Sequence, residues 1–246
     1  MNKRILLVLS VLFFVVVPHG YIVQAAPASP RVPILLYHHI ASHRGRWYVS
    51  PQKFEDELRY LSENGYHTIS LGAYLDAQES GATLPGKAVT LTFDDGNRDN
   101  YDVAFPLLKK YGMTGTFFIV TGYVGYPAYM TWDQIQEMQK AGMEIEAHTV
   151  HHPFLTRLSS AAAFLEMFMS RVELQQHLHV PITVVAYPYN DHNARIAMLA
   201  RLAGFRGAVT VAPHRGDTAN DDFEIPRITI LSGEGMKIFA YVLVRS

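Results

Sequence analysis

The chain is predicted to fold as an α/β protein, a distorted (β/α) barrel of seven or eight strands. Short apolar runs alternate with helix-spaced segments along most of the 246 residues, which is the pattern of βαβ units on a parallel sheet. At that length and 49% hydrophobic content the chain can bury one large core, and single-domain α/β barrels commonly reach this size. The residues with reactive side chains fall at the C-terminal ends of predicted strands, and in such a barrel those ends converge on one mouth.

Taken in order, Met1 to Arg4 form a short positive region, residues 5–17 are an unbroken apolar run, and Val23-Gln24-Ala25 offers the small residues a signal peptidase reads. Residues 1–25 are therefore expected to be a signal peptide and the protein to be exported, periplasmic or extracellular. The apolar run is short for a membrane span of ~20 residues. An uncleaved anchor that includes Tyr21 to Val23 is the other reading, and membrane contact is expected only in that case. Residues 26–33 read as a Pro-rich linker and residues 34–246 as one catalytic domain. Strands are predicted over residues 32–38, 67–70, 88–93, 114–120, 144–148, 183–187, 207–211 and 227–230.

Helix boundaries stand between them. Ser50-Pro51 is an N-cap with proline at the first helical position, Phe54, Leu58 and Leu61 make an apolar face, and Gly65 sits where the chain must turn left-handed. Thr131 and Gln134 form a capping box on a helix closed by Gly142. Over residues 160–178, Phe164, Phe168 and Val172, with Leu165 and Met169, recur at helical spacing and are expected to face the core.

Charge and composition exclude several classes. The 21 basic and 22 acidic residues are scattered, so no basic stripe marks a nucleic-acid binder, and no nucleic-acid partner is expected. There are no cysteines, which excludes disulfides, thiolate metal ligands and a thiol nucleophile. No G-x-S-x-G occurs either, so covalent catalysis has no evident carrier. Residues 81–87 read G-x-x-x-x-G-K but precede a strand, and Ala88 stands where a phosphate loop needs a hydroxyl.

What remains is a metal hydrolase set. Leu91-Thr92-Phe93-Asp94-Asp95-Gly96 supplies adjacent carboxylates, and His148-Thr149-Val150-His151-His152 an i, i+4 imidazole pair. A hard or borderline divalent cation takes imidazole nitrogen with carboxylate oxygen and keeps a position open for water. Asp95, His148 and His152 are the expected ligands, and Asp94, left over beside activated water, is a natural general base. The alternatives are a plain Asp-Asp-Gly turn and histidines that cap a helix or pack neutral in the core. His39, His43, His151, His177, His179 and His192 are assigned no chemistry, and Asp99, Asp102, Asp221 and Asp222 read as solvated turn or helix-start residues.

These motifs resemble the polysaccharide deacetylases, carbohydrate esterase family 4, whose shared unit is the NodB homology domain. T-F-D-D-G is met by Thr92 to Gly96, and H-[ST]-x-x-H-P by His148 to Pro153. The opening Val32-Pro33-Ile34-Leu35-Leu36-Tyr37-His38-His39-Ile40 is similar to the branch that includes poly-β-1,6-N-acetylglucosamine deacetylases, as are Asn64 to Ile69 and Ala186-Tyr187-Pro188-Tyr189. The resemblance implies the NodB-type barrel and N-deacetylation of an N-acetylated hexosamine polymer. It further implies Asp94 as base, a divalent metal, usually zinc, on Asp95, His148 and His152, His38 as general acid, and a backbone N–H near Tyr189 against the oxyanion. Arg227 is expected to steady Asp94 or else to form a plain surface ion pair. Asn190 departs from the branch, which has glycine there, and is expected to shift that loop.

Two rivals stay open at this point. Glycoside hydrolysis by Asp94 and Asp95 needs carboxylates about 5–9.5 Å apart across a bond, a poor fit to neighbours on one segment. A secreted glycan-binding accessory protein with a degenerate site is the other. Trp47, Tyr48, Tyr123, Tyr126, Tyr129 and Trp132 either ring the mouth or pack along its rim. The polymer is open between poly-N-acetylglucosamine, chitin oligomers and peptidoglycan, and the oligomeric state is not legible.

Overall fold

A computed structural model describes residues 32–211 and 221–245. The predicted signal peptide and nearly all of the linker lie outside the described residues. Along the chain run β1 (Ile34–Tyr37), β2 (His39–Ile40), β3 (Tyr48–Val49), α1 (Pro51–Glu63), β4 (His67–Thr68), α2 (Leu71–Ser80), β5 (Ala88–Phe93), α3 (Phe105–Lys110), β6 (Thr116–Ile119), α4 (Trp132–Lys140), β7 (Glu144–Ala147), α5 (Ser160–Leu178), β8 (Val184–Ala186), α6 (Ala194–Leu202), β9 (Gly207–Val211), β10 (Ile225–Thr229) and α7 (Met236–Arg245). All eight predicted strands are present within a residue or two of their expected ends.

The barrel closes through seven parallel strands in the order β1, β10, β9, β8, β7, β6, β5, with β5 returning to β1 over Ile34↔Thr90 to Tyr37↔Phe93. The eighth, β4, pairs with the N-terminal end of β5 (His67↔Ala88, Thr68↔Val89), whereas the upper end of β5 pairs with β6 (Thr92↔Thr116, Phe93↔Phe117). That offset is the distortion. β2 and β3 form a separate small pairing above β1.

Alternation along each strand sorts side chains into two cores. Leu35, Tyr37, Leu91, Phe93, Phe117, Ile119, Ile145 and Val185 point outward and pack under the helices. Ile34, Phe118, Val184, Ala186, Val209 and Ile225 point inward, where Leu71, Tyr74 and Leu75 of α2 plug the barrel floor. The inward rows continue upward by steps of two, so His38 follows Ile34 and Leu36, Asp94 follows Thr92, His148 follows Glu146 and Arg227 follows Ile225. Strand periodicity alone therefore delivers four functional side chains to one opening.

Two carboxylates, a partly buried Glu144 and a fully buried Glu146, support the barrel below that opening. Glu144 accepts from the amides of Leu71 and Gly72 at the start of α2, at 2.8 and 2.9 Å, where a helix N-terminus favours negative charge. Glu146 accepts from the amides of Thr183 and Val184, both at 2.9 Å, and so bridges a seam where β7 and β8 share the single register pair Ala147↔Val185.

The helix caps agree with expectation. Ser50 accepts from Lys53 N ahead of Pro51, Phe54, Leu58 and Leu61 are fully buried, and Gly65 has φ 70°. The capping box of Thr131 and Gln134 is formed on both sides. The expected core stripe of α5 is corrected. Its buried line is Ala163, Met167, Ser170, Leu174 and Leu178, Phe164 and Phe168 only flank the core, and Leu165 and Met169 are about half exposed. Small side chains on that line let the helix axis approach its neighbours, which turns two larger apolar residues to solvent. No helix among the described residues is long and apolar enough to cross a membrane.

Candidate active site

Asp94 and Asp95 leave the top of β5 in opposite senses. Asp94 continues the inward row and is 4% exposed, and Asp95 takes a left-handed φ of 79°, followed by Gly96 at 75°. This turn lifts the Asp95 carboxylate over the barrel mouth toward the end of β7. His148 arrives there on its own inward row, and His152 is brought back by a tight turn in which Thr149 has φ 67° and His152 φ 55°. A left-handed β-branched residue is rare and disfavoured, and such outliers cluster where function demands a shape.

The result is a triangle of donor atoms. His148 Nε2 and His152 Nε2 are 3.1 Å apart, and each is 3.5 Å from Asp95 Oδ1. Three ligands held about 2.0–2.2 Å from a tetrahedral zinc ion stand roughly 3.3–3.5 Å from one another, so the triangle has the size such a cation needs. His148 Nδ1 lies 2.8 Å from the carbonyl of Ala186. A carbonyl only accepts, so Nδ1 carries the proton and Nε2 keeps its lone pair for the centre of the triangle. It is the one cluster of this kind among the described residues.

Electrostatics favour a cation at the same point. Burial alone lowers the pKa of His148, but the carboxylates of Asp94 and Asp95 outweigh it and raise it. His152 is pulled down to about 4 by burial and by His148 beside it, so its ring is neutral at neutral pH. Burial would raise Asp95, yet the facing imidazoles hold it well below the usual carboxylate range.

Asp94 is set apart from this triangle by Arg227. The guanidinium is 1% exposed and grips the carboxylate with both arms, Nη1 to Oδ1 at 2.7 Å and Nη2 to Oδ2 at 2.8 Å. Nε donates to Thr210 O at 3.3 Å, and the guanidinium lies 5.3 Å from the Phe118 ring centroid. The reading of Arg227 as a surface ion pair is thereby excluded. Burial raises the Asp94 pKa, but the charge and hydrogen bonds of Arg227, together with His148 and His38, more than offset it and keep the carboxyl ionised. Asp94 Oδ2 stands 4.0 Å from His148 Nε2, beside the triangle and outside it.

The remaining candidates sit around this centre. The ring of His38 packs 4.5 Å from that of Trp47, and its Nδ1 is buried without a partner among the described residues. Burial lowers its pKa, with Asp94 and Asp95 opposing but not cancelling the effect. Tyr189 is 58% exposed, its ring 4.5 Å from His152 and stacked on Phe154 at 4.1 Å. Asn190 stands in the turn after β8. It adopts φ 56°, a left-handed conformation that asparagine tolerates, and its Oδ1 accepts from Val211 N at 2.7 Å. In this turn the amides of Asn190 and Asp191 donate to Tyr187 O and Pro188 O.

Among the aromatic candidates, Trp132 stacks on His177 at 3.8 Å and packs against the core, which removes it from the mouth. Asp99 is not a merely solvated residue, because it accepts from Ile40 N at 3.1 Å and pairs with His39 Nδ1 at 2.7 Å. Sequence reasoning did not find Phe154. Its only sequence signal is its place two residues beyond His152.

Comparison with known proteins agrees with this geometry. The family model described as polysaccharide deacetylase matches residues 81–208. YxkH of Bacillus subtilis (strain 168), which carries a polysaccharide deacetylase name, is 32% identical over 86% of this chain and 76% of its own length. A poly-beta-1,6-N-acetyl-D-glucosamine N-deacetylase of Staphylococcus aureus (strain MSSA476) is 29% identical over 74% of this chain and 67% of its own. The Streptococcus pyogenes deacetylase PplD, solved in complex with acetate, superposes with a TM-score of 0.81 at 30% identity, over 86% of this chain and 97% of that one. The family match and the barrel agree, and the chain belongs to the polysaccharide deacetylase family.

Proposed function

We propose that this deacetylase hydrolyses the N-acetyl groups of an N-acetylglucosamine-containing polysaccharide, releasing acetate and leaving a free amine on the sugar. The observation that carries the reading is the Asp95, His148 and His152 triangle lying beside an ionised, arginine-held Asp94. We assign the triangle to a divalent cation, zinc by its two-imidazole, one-carboxylate donor set. Such a cation, when bound, supplies Lewis acidity at the acetamide oxygen and makes water acidic enough to attack near neutral pH.

Asp94 acts as the base. Arg227 keeps it ionised and fixes both its oxygens, so it waits in one orientation to take the proton of the attacking water. The amide of Tyr189 is the donor proposed for the developing oxyanion. His38 is the proposed acid for the departing amine. Its lowered pKa leaves it neutral at rest, so it must first collect a proton, and Asp94, a strong acid in this setting, is the neighbour that can give one. The exposed rings of Tyr189 and Phe154 offer a flat apolar face to a sugar beside polar groups.

Residues 34–246 are read as one catalytic domain, and the pattern of residues 1–25 supports export to the polymer, in the periplasm or outside the cell. The test is to offer the purified protein N-acetylated glycans with and without a chelator and to measure acetate. Acetate that appears only without chelator is the expected result. New reducing ends would indicate a glycosidase, and no product from any glycan would indicate an accessory protein.

A further inference from the structure

The loop between the two histidines of the triangle is gripped from outside the barrel by a carboxylate that the chemistry above does not use. Glu166, on α5, accepts at Oε2 from the amides of Val150 (3.1 Å) and His151 (2.9 Å), and its Oε1 pairs with His151 Nδ1 at 2.8 Å. Its side chain is 16% exposed, whereas the His151 side chain it holds is 70% exposed. The opposite edge of the loop is bonded to the segment after β6, with Thr121 N donating to Thr149 O at 3.2 Å and Gly122 N to Val150 O at 2.9 Å. A Cβ at Gly122 would stand 2.6 Å from Val150 O, so glycine is required for that approach. Inside the turn, His152 N donates to Thr149 Oγ1 at 3.0 Å.

These bonds restrain a backbone that disfavours its own shape, since Thr149 and His152 both hold positive φ. We propose that Glu166 is the positioning residue of the metal centre. Its carboxylate clasps the Val150 and His151 amides and so fixes the turn that sets His152 Nε2 against His148 and Asp95. The proposal rests on the metal reading above. It also gives His151, the histidine between the two ligands, a distinct part as the exposed half of the clasp.

The test measures zinc affinity of the full chain by competition with a chelating dye, for the wild type, Glu166→Gln and Glu166→Ala. Both amides bond to the same oxygen, so glutamine keeps them and changes only the bond to His151, which loses its charge, and its affinity should stay within about fivefold of wild type. Alanine removes all three bonds and should weaken zinc by about 10- to 100-fold, the range found when a ligand loses its supporting partner. A merely structural role would instead lower the unfolding temperature of the zinc-free chain and leave affinity unchanged. Wild-type affinity in the alanine variant, or equal losses in both variants, overturns the clasp and leaves the metal centre standing. Failure of the wild type to bind zinc overturns the centre and the clasp together.

Discussion

Replacing Arg227 by methionine removes the cation that faces Asp94 while keeping most of the side chain's volume. The pair is buried, with Arg227 1% and Asp94 4% exposed, and joined by two hydrogen bonds of 2.7 and 2.8 Å. Removing one partner of a buried pair leaves an uncompensated charge and typically costs about 3–5 kcal/mol. For a domain of this size about 1 kcal/mol corresponds to 2–4 °C, so the unfolding temperature at neutral pH should fall by roughly 6–20 °C. The pH dependence should also reverse. In the wild type Arg227, with His148 and His38, holds the Asp94 pKa below its ordinary value. Its stabilisation is thus complete above that ordinary value and lost as pH falls through the lower folded one. In the variant burial is opposed only by His148 and His38, the pKa rises, and acidification should recover stability as Asp94 protonates. Circular dichroism melts at neutral and mildly acidic pH, with the acid limb of kcat/KM for acetate release, read both effects. A variant that melts within about 2 °C of wild type and keeps its acid limb would refute the reasoning.

Further outcomes follow from other residues. Burial raises Glu57 to about 7 despite Lys53 at 3.6 Å and the Tyr37 hydroxyl at 3.0 Å. Its contribution to stability is therefore present below the ordinary carboxylate pKa and lost as pH rises through about 7. Glu57→Gln should remove up to about 3 kcal/mol of that alkaline loss, seen as a urea midpoint that changes less between mildly acidic and mildly alkaline pH, and parallel profiles would count against it. Asn190→Gly and Asn190→Ala both lose the bond to Val211 N, which should cost about 1 kcal/mol in each, and alanine should lose about 1 kcal/mol more because φ 56° disfavours it. Equal melting temperatures for the two would show that the left-handed turn imposes no demand. His38→Ala should slow acetate release by about 10²–10⁴ with zinc still bound, and unaltered turnover would remove His38 from the acid role.

The legible part of the fold was what local periodicity and caps encode. Short apolar runs located β5, β7 and β8, and the placing of reactive residues at the C-terminal ends of strands predicted that distant residues would share one mouth. The parts that escaped depend on tertiary closure. The α5 stripe went astray because Leu165 and Met169 look like core by hydrophobicity, and only the approach of Ala163 and Ser170 to neighbouring elements decides which face is buried. Glu144 and Glu146 read as polar residues in a strand, and their purpose appears only once α2 and β8 supply unpaired amides. At the site the motif residues were readable by type. Arg227 could be either a surface or a buried partner until β10 was placed next to β1. Glu166 gave no signal, because nothing in a helical sequence shows that one carboxylate reaches a loop sixteen residues away.

The central claim separates Asp95, a ligand, from Asp94, a base, although they are neighbours in sequence. Measuring zinc content and acetate release together on a single Asp94→Asn preparation tests it most directly. The account predicts that zinc is retained while turnover falls by about 10²–10⁴. Loss of the zinc, or full turnover with zinc bound, would contradict it.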